Sequence, residues 1–359
     1  MNREQTAAAD RTWVEVDLAA LVANARTVRE RVPGSRLLPI VKADAYGLGA
    51  VRVAQALEQV DPWGYAVATA HEGRELREAG ITRPILVMGP QTRALDRVAK
   101  HGLTPALGSV EQVAAWLALA PGRPFHVEVD TGMARWGLSW KTFGADAERF
   151  QDAPGFEGVF THFHSPAEAA ATVREQWERF QSAVATLARR PRLVHAANSA
   201  ALLDFPETAG DLVRPGIFLY GGRAGAHQPR RVVQWRALVL ATRWLEAGET
   251  VSYGATYRAA ARTCVATIAA GYADGVPRAL SNVGAVLVGG RRLPIAGRVT
   301  MDFTMAAAAD RAPAVGSVAT LIGGDGGEAI ELEEFAGAAG TIGYEILTGL
   351  GRRVTRVYT

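Results

Sequence analysis

Lys42 directly follows the apolar run LLPIV at 37–41. A cation there is costly to bury, and a desolvated lysine with a lowered pKa is a good amine nucleophile, of the kind that forms Schiff bases with carbonyls. Taken alone, it reads more simply as a strand end whose ammonium snorkels to water. Asn198-Ser199 and Arg214-Pro215-Gly216-Ile217 offer a hydroxyl and small residues past which backbone N–H groups can approach an anion. Each is also an ordinary feature, Asn-Ser-Ala as a helix N-cap and Arg-Pro-Gly as a turn. A Schiff-base lysine, a phosphate cradle and an arginine together would suit pyridoxal phosphate, with the aldehyde on Lys42, the phosphate on Ser199 and Gly216, and the ring nitrogen at Arg214.

Such residues need a scaffold. Asp17 opens a helical pattern carrying Leu18, Leu21, Val22, Ala25 and Val28 on one face, closed by Pro33 and Gly34. Eight apolar strand candidates follow, at 37–42, 64–69, 84–89, 104–107, 125–129, 156–162, 193–197 and 211–213, with amphipathic helical segments between them. Strands apolar on both faces and alternating with helices read as a parallel sheet, and eight such units match a closed TIM-like (β/α)8 barrel better than an open doubly wound sheet, the alternative. Barrel sites lie at the C-terminal strand ends, where Lys42, Arg135, His162, Asn198, Ser199 and Arg214 all fall. Beyond the Gly-rich, basic stretch 221–230 the texture turns to β-branched alternation with turn signals. The expectation is an α/β barrel over residues 1–230 and a mainly β domain over 231–359.

Composition bounds the function. The chain has 359 residues, 48% hydrophobic and 21% charged, which is ordinary for a folded globular protein. Lys plus Arg exceed Asp plus Glu by 39 to 36, too small an excess to argue for nucleic acid or an anionic membrane as partner. The single cysteine, Cys264, excludes an internal disulfide and a multi-cysteine metal cluster. His71, His101, His126, His164 and His195 show no metal-ligand spacing, so no metal is assigned. The polar opening MNREQTAAAD lacks the apolar core of a signal peptide and no apolar run is long enough to span a bilayer, so a cytoplasmic protein is expected. Trp177 and Phe180 read as packing residues, Tyr253, Tyr257 and Tyr344 as core or interface tyrosines, and Arg352, Arg353 and Arg356 as a solvated face with one arginine near the active-site edge.

The segments VKADAYGLGA (41–50), VDTGMARWG (129–137), VFTHF (159–163), ANSAA (197–201), VRPGIFLYGG (213–222), VSYGATYRA (251–259), IAAGYADGVPR (268–278), GRVTMDFTM (297–305), IGYEILTGL (342–350) and RRVTRVY (352–358) resemble, in order and along essentially the whole chain, the alanine racemase family. The resemblance implies a pyridoxal-phosphate enzyme with a barrel and a β domain, acting on alanine as a homodimer with shared sites and supplying D-alanine for peptidoglycan. It implies that Lys42 carries the cofactor and serves as one acid/base group, with Tyr272 from the partner subunit's β domain as the other. By the same resemblance Tyr46, Ser199, Gly216, Ile217 and Tyr358 hold the phosphate, with Asn198 beside them. Arg214 meets the pyridine nitrogen and joins His162 in the network around Tyr272, while Arg135 and the Met301 N–H clamp the substrate carboxylate. A catalytic phenol must be drawn down from about 10 to work near neutrality, which a cationic surrounding favours.

The chain departs from the family pattern at a few positions. Glu128 stands where many members have a lysine that becomes carbamylated, so a permanent negative charge that orients Arg135 is expected there. His164, Pro166, Phe303 and Gly343 also differ, near the expected substrate entrance or dimer contacts. Competing readings are a racemase of serine or another amino acid on the same scaffold, a non-catalytic pyridoxal-phosphate carrier, which would need no Tyr272, and a decarboxylase, which would carry a cysteine motif unlike the strand setting of Cys264.

Overall fold

The structure, a computed structural model, describes residues 11–309 and 311–359, so the opening segment read for a signal peptide lies outside the described residues. The chain divides into two compact units. Strand β1 (Thr12–Val16) belongs with the C-terminal residues, whereas residues 22–219 and 223–229 form the other unit. The expected run of 1–230 as one barrel domain therefore does not hold at its start: β1 pairs antiparallel with β11 (Val233–Leu245) and parallel with the closing strand Thr355–Tyr358. Asp17 caps the following helix, Leu18–Arg31, as expected, its carboxylate accepting from the Ala20 N–H at 2.8 Å.

The first unit is built from β2 (Arg36–Leu37), β3 (Tyr65–Val67), β4 (Ile85–Val87), β5 (Thr104–Leu107), β6 (Phe125–Asp130), β7 (Leu138–Ser139), β8 (Phe156–Phe160), β9 (Leu193–Asn198) and β10 (Leu212–Arg214). The order is β2-β10-β9-β8-β6-β5-β4-β3, every pair parallel, with the short β7 beside β6. A bridge from Ile40 to Ala66 joins the chain after β2 to β3, so the eight-strand ring closes and the open-sheet alternative falls away. Strands β3, β4, β5 and β10 are buried at every residue, as strands covered on both faces must be. Between them, helices start where the sequence supplies caps: Thr69 and Glu72 form a capping box on Ala70–Glu78, and Ser109 accepts from the Gln112 N–H on Val110–Leu119. Trp177 and Phe180 pack with rings 5.8 Å apart.

In the second unit β11 is the spine. It pairs antiparallel with β1, with Thr263–Ile268 and with Val318–Asp325; Ala285–Val288 and Arg291–Pro294 form a hairpin, and Thr304–Ala309 pairs with Thr263–Ile268. The mainly β expectation holds, with two short helices added at Leu332–Ala338 and Gly343–Thr348. Cys264 is fully buried in its strand. Tyr253 and Tyr344 are exposed rather than core, and Tyr257 packs against the cluster of Leu245, Val251, Ala259 and Val265.

Candidate active site

Because the barrel strands are parallel, one end of the ring collects everything that follows their C-termini. Beyond the Ile40 bridge the chain enters a tight turn, Lys42–Gly47, in which Ala43, Asp44, Ala45 and Tyr46 all take left-handed φ of 52–58°. Non-glycine residues resist this conformation by about 1–2 kcal/mol each, and strain of this kind gathers where function fixes a side chain. Hydrogen bonds hold the turn: Ala43 N–H donates to Glu72 Oε1 at 2.7 Å, Ala50 N–H to Asp44 Oδ1 at 2.7 Å, and Ala45 N–H to the Val41 carbonyl at 2.9 Å. Lys42 is exposed at this mouth, not buried under the strand as its neighbours in sequence suggested. Its pKa is nonetheless lowered, first by the desolvation of the mouth and then by Arg135, with Glu72 opposing.

Arg214, at the end of β10, is 2% exposed. Its Nη1–H donates to His195 Nδ1 at 2.8 Å and its Nη2–H to the Thr161 and Ala196 carbonyls at 2.7 and 2.8 Å, while the guanidinium lies 5.3 Å over the Phe160 ring. The Nε–H makes no hydrogen bond among the described residues. Burial lowers the Arg214 pKa to about 10, with Glu128 opposing, so the group remains a cation at neutrality. His162 Nδ1 is 3.4 Å from Arg214 Nη2. Burial, then Arg214, Arg135 and Lys42, drive the His162 pKa down to about 3, so this imidazole is uncharged. Gln176, on the helix Ala170–Ala185, ties the loops together by donating to Thr131 Oγ1 and the His162 carbonyl and accepting from the His164 N–H.

Ser199 Oγ accepts from the Gly216 N–H at 2.8 Å. A Cβ built on Gly216 would stand 2.5 Å from the Tyr46 hydroxyl, so glycine is what brings backbone, Ser199 and Tyr46 to one place; Ile217 follows, buried. Asn198 is committed otherwise, its side-chain oxygen capping the helix Ser199–Asp204 through the Ala201 N–H at 3.2 Å. Glu128 in β6 is 3% exposed, with Oε1 4.0 Å from Arg135 Nη2. Desolvation raises its pKa to about 7, against the pull of Arg214 and Arg135. The permanent charge expected there is thus corrected to one that titrates near neutrality, at ion-pair rather than hydrogen-bond range from an arginine that is itself exposed.

In the β unit, Tyr272 is exposed and tied beside Met301: its N–H donates to the Thr300 carbonyl at 2.9 Å, and Ala273 N–H to the Met301 carbonyl at 3.0 Å. Gly271 permits this approach, since a Cβ there would meet the Thr300 and Met301 carbonyl oxygens at 2.4 Å. The Met301 N–H has no acceptor among the described residues. Buried Asp274 braces the loop, accepting from the Gly271 N–H at 2.8 Å, from Arg353 Nε at 2.7 Å and from Arg11 Nη2 at 3.0 Å. Arg353 also reaches Asp302 at 2.7 Å, so this arginine, exposed as its sequence suggested, braces the Tyr272 loop as well. Tyr358 ends the strand beside β1, in register with Val16.

Family models described as alanine racemase, N-terminal domain, and alanine racemase, C-terminal domain, match residues 16–224 and 232–358. The chain belongs to the alanine racemase family. The alanine racemase of Symbiobacterium thermophilum is 42% identical over 97% of this chain and 97% of its own. A solved alanine racemase from Bartonella henselae with covalently bound pyridoxal phosphate superposes with a TM-score of 0.90 at 32% identity, covering 97% of this chain and 99% of that one. One from Bacillus anthracis with bound L-Ala-P does so with a TM-score of 0.89 at 34% identity, over 97% and 95%. The chain is an amino-acid racemase of the pyridoxal-phosphate type, which sets aside the carrier and decarboxylase readings.

The residues present fit that cofactor: a lysine of lowered pKa, a buried cationic donor with Nε–H uncommitted, and a hydroxyl-lined cradle that one methyl group would fill. Gly216→Ala is expected to weaken cofactor binding by at least about tenfold, since a Cβ that displaces the Tyr46 hydroxyl removes a hydrogen bond to a charged group, which contributes about 1.5–3 kcal/mol. Fluorescence titration of the stripped protein with pyridoxal phosphate checks this, and unchanged affinity would sink the cradle. Sequence reasoning missed two buried residues behind the site, His195 under Arg214 and Asp274 under the Tyr272 loop. The signal that could have found His195 is its place in β9, three residues before Asn198 and two strands from His126, with only Gly158 of β8 between them.

Proposed function

We propose that the chain interconverts L- and D-alanine by a two-base reaction in a head-to-tail homodimer, with Lys42 of one copy on one face of the substrate α-carbon and Tyr272 supplied by the other copy on the opposite face. The observation that carries this is the division of the chemistry. The barrel mouth collects Lys42, His162 and Arg214, whereas the exposed phenol stands in the β unit on a loop braced by Asp274. Bound pyridoxal phosphate supplies the electron sink that makes the α-proton acidic. Tyr46, Ser199, Gly216, Ile217 and Tyr358 would hold its phosphate, and the Arg214 Nε–H its ring nitrogen. A guanidinium keeps its protons, so that nitrogen stays an acceptor and the sink is weakened, which limits side reactions. Lys42 Nζ, its pKa lowered by desolvation and by Arg135, takes or returns the α-proton on its face. Uncharged His162 accepts from Arg214 at Nδ1 and leaves its Nε2–H for the phenol oxygen. Arg135 and the Met301 N–H hold the carboxylate. The product fits D-alanine supply to peptidoglycan in the cytoplasm; among the described residues no helix is long and apolar enough to cross a membrane.

The test is proton NMR of the cofactor-loaded protein in deuterium oxide with a panel of L-amino acids. Alanine is expected to exchange its α-proton fastest and to yield the D-isomer. Fastest exchange with serine or another amino acid moves the substrate, and no exchange overturns the reading.

Glu128 gives this reading a pH signature. As pH falls through about 7 the carboxylate takes a proton and Arg135 loses its anionic partner, so KM for alanine is expected to rise. In Glu128→Gln, KM is expected to be raised a few-fold and flat across that range, and added bicarbonate to change neither protein. Stability moves the other way. A carboxyl whose folded pKa exceeds its unfolded value favours folding below the unfolded value and loses that advantage as pH rises through the folded one. The wild-type melting temperature is therefore expected to fall relative to Glu128→Gln between about pH 5 and 8. Parallel KM and melting profiles for the two proteins would remove Glu128 from the site.

A further inference from the structure

Two fully buried histidines, His195 behind Arg214 and His126 beyond it, meet across the barrel between Arg214 and its opposite end. His195 Nε2 lies 3.0 Å from His126 Nδ1, and the His195 ring stacks on Phe160 at 4.9 Å between centroids. His126 is in β6 and His195 in β9, with β8 between them; they can touch because β8 has Gly158 there, where a Cβ would stand 2.6 Å from His126 Nδ1. The buried Nε2 of His126 has no hydrogen-bond partner among the described residues, and Oε2 of Glu157 stands 3.5 Å from it. The register between β6 and β8 shifts so that Phe125 faces Phe156 and His126 faces Gly158, which leaves Glu157 as the extra residue of a bulge. Bulges re-aim side chains, and this one turns a carboxylate on a barrel strand toward an interior imidazole.

The proton positions along this line follow from one fact. Arg214 can only donate, so His195 Nδ1 must accept; neutral His195 then carries its proton on Nε2 and donates to His126 Nδ1, and neutral His126 carries its proton on Nε2, facing Glu157. Burial and Arg214 hold the His195 pKa well below its usual value, and the His126 N–H pointed at Glu157, with Arg192 and Arg36, holds that carboxyl below its usual range, so the charges suit this direction. We infer that Glu157 is a positioning residue for Arg214: from the far end of the barrel its carboxylate fixes the tautomers of His126 and His195, so that a lone pair always meets the guanidinium. Chains of this kind polarise one another and strengthen the terminal bond. The inference rests on Arg214 meeting the pyridine nitrogen, as proposed above.

The test separates the two. Nitrogen-15 NMR of the histidine-labelled protein, stripped of cofactor and loaded, reads each tautomer directly. Both His126 and His195 are expected as Nε2–H, unchanged on loading. In Glu157→Met the His126 signals are expected to shift toward a mixture of tautomers and those of His195 to follow. In the same variant kcat for alanine is expected to fall roughly tenfold with KM little changed, the scale seen when an orienting partner behind a functional group is removed. Glu157→Gln, which still offers an oxygen, is expected to restore most of both. An Nδ1–H tautomer at His126 in the wild type overturns the inference. So does Glu157→Met with unaltered histidine spectra and a lower melting temperature alone, or with shifted spectra and unaltered kcat. Failure of the cofactor reading would instead appear as Arg214→Lys retaining full activity while the tautomers of the wild type stand as stated.

Discussion

Replacing Lys42 by alanine is expected to abolish racemisation, with a loss of at least about 10⁴-fold, the upper end of what a single acid–base group contributes. The expectation exceeds that of an ordinary base because the same side chain is proposed to anchor the cofactor. Two readouts follow: loss of the visible absorbance of bound cofactor, and loss of the cofactor itself on gel filtration. The fold is expected to survive. Lys42 precedes the four left-handed residues and is exposed, so alanine there disturbs neither the strained φ angles nor the bonds from Glu72 and Asp44 that hold them. The melting temperature is therefore expected to change little, as for surface substitutions within about 0.5 kcal/mol. Retained activity or retained absorbance would displace Lys42 from the centre of the site.

The strained turn also shows where sequence reading stops. The eight strands were legible because each is a short apolar run, and parallel strands covered on both faces carry no other pattern. That Lys42, His162, Ser199 and Arg214 gather at one end of the strands was legible because they follow those runs. The conformation of Ala43-Asp44-Ala45-Tyr46 was not, since none of the four is a glycine and left-handed φ is imposed by tertiary bonds to Glu72 and Ala50 rather than by local preference. Strand β1 escaped for a related reason: five residues of alternating burial look alike in either unit, and only their partners in β11 and Thr355–Tyr358 decide which. Arg353 is exposed, as its basic stretch suggested, but its tie to Asp274 was not legible, because nothing local announces a carboxylate 79 residues earlier and wholly buried. Glu128 was recognised as a departure, but its charge state depends on burial that no spacing reveals.

Tyr272→Phe is expected to keep the cofactor absorbance and lower racemisation by about 10²–10⁴-fold, the contribution of one positioned acid–base group. The two directions must lose kcat/KM alike, because L- and D-alanine are equal in free energy and no catalyst changes their ratio. The asymmetry of the two bases shows in exchange. Lys42 remains in place, so the enantiomer whose α-proton faces it should still wash that proton into deuterium oxide and take back deuterium on the same face, with retention. The other enantiomer, which needs the phenol, should not exchange. The Tyr272 loop gives the variant its control: the backbone bonds to Thr300 and Met301 and the Asp274 brace are untouched by loss of one hydroxyl, so the Met301 N–H proposed to hold the carboxylate keeps its place and KM should move little. Chiral separation of alanine after incubation in deuterium oxide, with mass detection of each isomer, reads both effects in one experiment. Equal exchange of the two enantiomers would mean that a single group serves both faces, and the division of chemistry between barrel mouth and β unit would then have no catalytic meaning.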